Sequence, residues 1–358
     1  MRNSASCNCI CYFLSLVGLG LLCIAVVNIF IFETLLTDVY TKRGLPLAIN
    51  TWPFTNATAT AWDAVYRRNL SAIDAVELGC SVCEREQCDF TVGYGGSPDE
   101  NGETTLDAFI MDGVTMNIGA VGALREIKSA ISVARRVLEH TRHSILVGEL
   151  ATQFALEMGF RKENLTTKQS QQMWSSWQSN SCQPNFWLDV EPDPSQQCGP
   201  YHPLLSGKTI TNDQVKYSHD TISMVALDRQ GRVAVGTSSN GANHKIPGRV
   251  GDAPLVGAGG YADGTVGAAA CTGDGDVMMR FLPSFLAVEE MRHGSSPEEA
   301  AKTAISRIAK YYPTFSGAII TVNIQGDYAA SCHGLDSFPY SVHSPQYPSG
   351  VVLRASCI

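Results

Sequence analysis

Ser218-His219-Asp220-Thr221-Ile222-Ser223-Met224-Val225-Ala226-Leu227-Asp228 is where the chain passes from a polar stretch into a strand. From Thr221 onward the residues alternate and are rich in β-formers, Arg229-Gln230-Gly231 makes a turn, and Arg232-Val233-Ala234-Val235-Gly236 returns. The segment is predicted to be a hairpin. Ahead of it Leu205 to Ser218 is polar and without period, as an exposed linker is. Thr221 thus stands between a cuttable linker and a buried strand, the place an N-terminal nucleophile needs. A cut before it would free an α-amine within reach of the Thr221 hydroxyl, a standard way to activate a threonine. A threonine opening a strand after an acidic residue is also common in sheets that do no chemistry, so the weight falls on the residues downstream.

With 358 residues the chain is long enough for a large core in one α/β unit or two domains. A net charge of −8 and the absence of a basic run interleaved with aromatics point away from nucleic acid. Ile10 to Phe32 is almost unbroken apolar sequence, with Ser15 and Asn28 its polar exceptions, and is predicted to direct the chain to the secretory pathway. Small residues at Cys23-Ile24-Ala25, and Lys42 and Arg43 on the far side, favour a cleaved signal; a retained anchor is the alternative. Cys7, Cys9 and Cys11 then lie outside the mature fold, or are palmitoylation candidates if the anchor stays.

Beyond the leader, Cys80, Cys83, Cys88, Cys182, Cys198, Cys271, Cys332 and Cys357 remain. In an oxidising compartment locally spaced pairs are expected: Cys83–Cys88, Cys182–Cys198 and Cys332–Cys357. A zinc site at Cys80 and Cys83 lacks a second ligand pair at suitable spacing. Asn56, Asn69 and Asn164 open glycosylation sequons that suit the same compartment.

Leu45 to Trp52 is predicted to be a first strand, ended around Pro53. Helices are expected over Ala57 to Asn69 and over Ser71 to Glu84, the second capped by Ser71 and Asp74. Strands Thr105 to Met111 and Thr115 to Val121 follow, turning at Asp112-Gly113. A helical stripe of Leu124, Ile127, Ile131, Ala134 and Leu138 predicts a helix from Leu124 to His140. Shorter helices are expected at Glu149 to Met158 and Thr167 to Gln178, then a loop from Ser181 to Ser218. After the hairpin come a glycine-dense region, Gly236 to Gly275, and helices over Phe281 to Arg292 and from Ser296 onward. Strands Gly317 to Ile324 and Tyr328 to Cys332 close the pattern. Hairpins rather than crossovers join the identifiable strands, which predicts an α+β fold with sheet packed on sheet and helices outside.

The glycine-dense region holds Gly236-Thr237-Ser238-Ser239-Asn240-Gly241, Gly248-Arg249-Val250-Gly251-Asp252-Ala253-Pro254, Gly257-Ala258-Gly259-Gly260-Tyr261-Ala262-Asp263 and Gly267-Ala268-Ala269-Ala270-Cys271-Thr272-Gly273-Asp274-Gly275-Asp276. Small residues at this density let backbone approach a ligand, or simply build tight turns. The full phosphate-loop pattern Gly-x-x-x-x-Gly-Lys-Ser/Thr is absent, which disfavours nucleotide binding.

Together with His219-Asp220-Thr221 at these spacings, those motifs resemble the glycosylasparaginase, or aspartylglucosaminidase, family. The resemblance extends upstream through Asn50-Thr51-Trp52-Pro53-Phe54, Cys83-Glu84-Arg85-Glu86-Gln87-Cys88, Gly95-Gly96-Ser97-Pro98-Asp99-Glu100 and Cys182-Gln183-Pro184-Asn185, and covers the chain from about Leu45 to its end. It implies an N-terminal nucleophile hydrolase with a four-layer αββα sandwich over residues 45–358. The precursor would cut itself at Asp220-Thr221, leaving chains 45–220 and 221–358.

By the same resemblance Thr221 attacks the side-chain amide of a glycosylated asparagine. Arg249 would hold the substrate α-carboxylate, Asp252 its α-ammonium, and the Thr272 hydroxyl and Gly273 N–H the oxyanion. Trp52 would form an aromatic wall beside the substrate. Ser239 stands where the family has a second active-site threonine; it keeps the hydroxyl and loses a methyl, so reduced rather than absent activity is expected. Cys271 replaces a small apolar residue and should change little. The resemblance further implies a lysosomal enzyme, a dimer of cleaved pairs, with no metal or cofactor. The alternatives are an L-asparaginase or isoaspartyl dipeptidase sharing the nucleophile and clamp, and a membrane-tethered binding ectodomain that has lost catalysis.

Overall fold

A computed structural model describes residues 44–204 and 221–358. The apolar leader, the linker before Ser218, His219 and Asp220 lie outside the described residues. From Leu45 onward the chain gathers into one contact unit. In order it forms β1 (Leu47–Thr51), α1 (Thr55–Trp62) running into a π turn (Asp63–Arg67), α2 (Ala72–Glu86), β2 (Leu106–Asp112), β3 (Ile118–Leu124), α3 (Ala130–His140), β4 (Ile145–Val147), α4 (Gly148–Glu157) and α5 (Lys168–Ser179). Then come β5 (Val190–Glu191), β6 (His202–Pro203), β7 (Ile222–Leu227), β8 (Val233–Ser239), β9 (Gly260–Asp263), β10 (Gly267–Gly273), α6 (Gly275–Met278), α7 (Pro283–Arg292), α8 (Pro297–Tyr311), β11 (Gly317–Asn323), β12 (Tyr328–His333), β13 (Phe338–His343) and β14 (Val351–Ala355).

The local signals hold where chemistry at the element ends is explicit. Ser71 and Asp74 exchange side-chain-to-backbone bonds in a capping box at the start of α2, and Ser296 and Glu299 do the same for α8. The predicted hairpin is β7 paired with β8. All three expected disulfides form, and Cys80 and Cys271 are buried free thiols. Asn56, Asn69 and Asn164 are exposed.

Four expectations need correcting. The turn after β2 is longer than Asp112-Gly113, because the Asp112 carboxylate accepts from Val114 N–H and Thr115 Oγ1 and delays β3 to Ile118. Leu124 ends that strand rather than starting a helix; Ile127 is buried in the connecting turn, and α3 begins only after Ser129. The glycine-dense stretch contains two strands, β9 and β10, whose alanines and glycines fit where packing is close on both faces. The last strand pair in the chain is β13 and β14, beyond the predicted one.

Eight strands make one sheet in the order β14-β13-β1-β7-β8-β2-β3-β4, antiparallel except for β3 with β4. Four make a second, β12-β11-β10-β9. The period of two along each strand decides where side chains go. On β7, Ile222, Met224 and Ala226 join a core with α1, α2 and α3, while Val225 and Leu227 join a core facing the second sheet. On β10, Ala268 and Ala270 face that same core, while Ala269 and Cys271 pack with α7 and α8. The central strands are therefore apolar on both faces. At one end of the inter-sheet core the inward positions turn polar: Thr51, Asp107, Thr221, Ser223, Thr237, Ser239 and Thr272 are all buried.

Candidate active site

That polar end is built around Thr221 and Thr272, which come from different sheets. The Thr221 N–H donates to Thr272 Oγ1 at 3.0 Å, and Trp52 Nε1–H donates to the same oxygen at 3.0 Å. A hydroxyl has two acceptor lone pairs and one proton. Both lone pairs of Thr272 are occupied, so its proton is left to be donated toward a ligand. Thr51 Oγ1 donates to the Thr221 carbonyl at 2.7 Å and accepts from Ser223 N–H at 2.9 Å, fixing the backbone around Thr221. Ser223 Oγ then donates to the Cys271 carbonyl, tying β7 to the residue before Thr272.

Ser239 lies one step beyond the Ile222–Ser238 pair of the β7–β8 ladder, opposite Thr221. Its Oγ accepts from Gly241 N–H at 2.9 Å, which keeps its own proton for donation. Gly273 has φ 133°, and a Cβ there would come within 2.4 Å of Gly317 Cα and 2.5 Å of the Ser316 carbonyl oxygen. Only glycine suits this position. Trp52, itself at φ 65°, stands edge-on to Phe338 with ring centroids 5.3 Å apart. Cys271 points the other way, its Sγ 3.1 Å from Ser284 Oγ, and burial pushes its thiol far up.

The loop carrying Arg249 and Asp252 reaches the same end. Arg249 is largely buried and hydrogen-bonds through Nη2 (2.7 Å) and Nε (3.1 Å) to Asp276 Oδ2, so it does not form a surface pair with Asp252. Asp252 is buried and its Oδ2 has no hydrogen-bond partner among the described residues. Burial pushes its carboxyl up to about 7, against the pull of the Arg249 guanidinium. Beyond the field of Arg249, a donor to Oδ2 is what this carboxylate lacks among the described residues. Gly275 gives it space: a Cβ there would sit 2.5 Å from Asp252 Oδ1.

Sequence reasoning passed over four residues that hold this arrangement. Thr51 was visible beside Trp52, but only as part of a motif. Asp107, on the inner face of β2, accepts from Ala123 N–H at 2.8 Å and Gly251 N–H at 3.3 Å, anchoring the Arg249 loop. Burial raises its carboxyl, while Arg249 and Lys245 pull it back down. Lys245 is buried, donates from Nζ to the Asn240 (2.9 Å) and Ser97 (3.2 Å) carbonyls, and is lowered to about 8 by burial. Asp276 is the fourth. A charged residue amid glycines was the available signal for Lys245 and Asp276. Among the described residues there is no cluster of three or more His, Cys, Asp or Glu side chains that would hold a metal ion.

The sequence profile described as asparaginase matches residues 35–350. Among curated relatives, the N(4)-(beta-N-acetylglucosaminyl)-L-asparaginase of Mus musculus is 58% identical over 298 residues, covering 82% of this chain and 86% of the relative. The enzyme of the same name from Rattus norvegicus is 53% identical over 323 residues, 88% of this chain and 93% of the relative.

Proposed function

The chain belongs to the asparaginase family, and from that premise we propose that it is an amidohydrolase cleaving the bond between N-acetylglucosamine and the side-chain nitrogen of asparagine. The observation that carries the site assignment is the convergence of Thr221 N–H and Trp52 Nε1–H on Thr272 Oγ1, each at 3.0 Å. It sets the Thr221 backbone nitrogen and the Trp52 indole against one hydroxyl, which supports reading Thr221 as the nucleophile and Thr272 as its partner. The three successive cores, helices on sheet, sheet on sheet and sheet on helices, support the four-layer αββα arrangement of N-terminal nucleophile hydrolases.

Activation begins with attack of the Thr221 hydroxyl on the Asp220 carbonyl, which moves the acyl group from nitrogen to oxygen. Water hydrolyses the ester, leaving the Asp220 carboxylate and a free Thr221 amine. Chains 45–220 and 221–358 then remain joined, because β7 pairs with β1 as well as with β8. In turnover the amine takes the hydroxyl proton as Thr221 Oγ1 adds to the substrate amide carbon. The Thr272 O–H and Gly273 N–H stabilise the oxyanion, Arg249 holds the α-carboxylate and Asp252 the α-ammonium. The C–N bond breaks as the nitrogen is protonated, releasing 1-amino-N-acetylglucosamine. Water then cleaves the β-aspartyl ester and releases aspartate. Ser239, opposite Thr221, supplies a hydroxyl to the amine.

Degradation of glycoproteins in the lysosome, by a dimer of cleaved pairs whose leader has been removed, is the setting this chemistry suits. The discriminating experiment compares kcat/KM on N4-(β-N-acetylglucosaminyl)-L-asparagine, free asparagine and β-aspartyl dipeptides, with N-terminal sequencing of the purified chains. We expect a small chain starting at Thr221 and preference for the glycosylated amino acid. Preference for the dipeptides would reassign the substrate, and an intact inactive chain would leave a binding protein.

A further inference from the structure

Asp276 meets Arg249 on one edge of the guanidinium alone. Its Oδ2 takes both Nε–H (3.1 Å) and one Nη2–H (2.7 Å), with Oδ1 3.4 Å from Nε. A guanidinium has five N–H donors in a planar fork. Two are therefore committed and, among the described residues, three remain, the pair on Nη1 and the second on Nη2, which define the other edge. Beside Nη1 the chain carries glycine twice: a Cβ at Gly251 would come within 2.8 Å of it and one at Gly241 within 3.1 Å. Neither position thus sends a side chain of its own against Nη1. Arg249 is largely buried, with Asp107 and Asp252 the other carboxylates acting on it, while Asp276 is substantially exposed.

The element that carries Asp276 also touches the rest of the site. It is α6, which begins two residues after Gly273; its first residue, Gly275, abuts Asp252. One short turn therefore locates the oxyanion donor, the ammonium acceptor and the guanidinium relative to one another.

We propose that Asp276 is a positioning residue for Arg249, holding the Nε/Nη2 edge so that the Nη1/Nη2 edge is presented to the α-carboxylate of the amino-acid substrate. This rests on the assignment of Arg249 as the carboxylate holder. An arginine with free side-chain torsions would lose the bidentate geometry that a planar fork gives, so Asp276 acts on substrate affinity rather than on bond cleavage.

The test uses the full-length protein after cleavage, with Asp276→Ala, Asp276→Glu and Arg249→Ala. Two substrates are compared: the glycosylated asparagine and its α-carboxamide analogue, which lacks the negative charge. Asp276→Ala should raise KM for the carboxylate substrate by about 10- to 100-fold, as loss of a charge-assisted contact does, with kcat changed less than about threefold. KM for the carboxamide should stay near wild type, which also shows that the variant is folded, and Asp276→Glu should recover part of the loss. A fall in KM on removing Asp276 would mean that it competes with the substrate for Arg249. An unchanged KM, or an equal rise on both substrates, would also overturn the proposal. If Arg249→Ala raises KM equally for both substrates, or for neither, the assignment of Arg249 itself is at fault, a result separable from failure at Asp276 alone.

Discussion

Replacing Thr272 with valine removes one hydroxyl and keeps the shape, so its consequences follow from the two bonds that oxygen accepts. Thr221 N–H is buried and would lose its acceptor, at about 1–3 kcal/mol; Trp52 Nε1–H is partly exposed, and water can replace much of its bond. A stability loss of about 1–4 kcal/mol is therefore expected. Catalysis loses more: one oxyanion donor is typically worth about 10²–10³ in kcat, or roughly 2.7–4 kcal/mol of transition-state stabilisation. KM should change little, because the hydroxyl proton acts on charge that develops after binding. The assay is steady-state kinetics on cleaved protein, normalised by N-terminal titration of Thr221, beside a thermal melt. Thr272→Ser, which keeps the hydroxyl, should restore kcat to within about tenfold. If cleaved Thr272→Val turned over within tenfold of wild type, the free-proton argument for Thr272 would be refuted.

Thr221→Ala should give one uncut, inactive chain on a denaturing gel; appearance of the two fragments would place the cut under other control. Gly273→Ala should lower Tm markedly, since its Cβ meets backbone at 2.4 Å and φ is 133°, each costing about 1–3 kcal/mol; a melt unchanged within error would count against the close approach to Gly317. Substrate KM should rise as pH falls below about 7 in wild type, because Asp252, raised to about 7 by burial, must be ionised to take an ammonium; a flat KM from pH 8 to 5 would contradict that role. Glu84, buried where it accepts from Ser238 Oγ and Ile131 N–H, is raised to about 8 by burial, so the folded chain holds a proton that the unfolded chain has released above about 4.5. Its contribution to stability is full below that value and is lost as pH rises through about 8. Glu84→Gln should therefore melt like wild type at pH 5 and above it at pH 9, with equal melts at both pH values as the adverse result.

Burial on both faces of the sheets separates what was legible from what was not. The hairpin at Ile222, the Ser71 and Ser296 caps and the Cys83–Cys88 disulfide are local, because turn geometry, capping and short loop closure act within a few residues. β9 and β10 escaped for the opposite reason. A strand packed on both faces shows no alternation, and Ala268 to Ala270 are alanine only because two layers meet there. Helical spacing misled at Leu124, where Asp107 takes the Ala123 N–H and the chain stays in the sheet.

The sequence by itself determined the family and named the candidates for the site, since Thr221, Arg249, Asp252, Thr272 and Gly273 stand in motifs whose order and spacing are contiguous information. Only the tertiary structure decided which of them meet. Thr221 and Thr272 are 51 residues apart and Trp52 is 220 from Thr272, and their contact exists because two sheets stack with polar residues at one end of the shared core. The supports Thr51, Asp107, Lys245 and Asp276 likewise become visible only when burial removes water and each charge or carbonyl must find its partner within the protein.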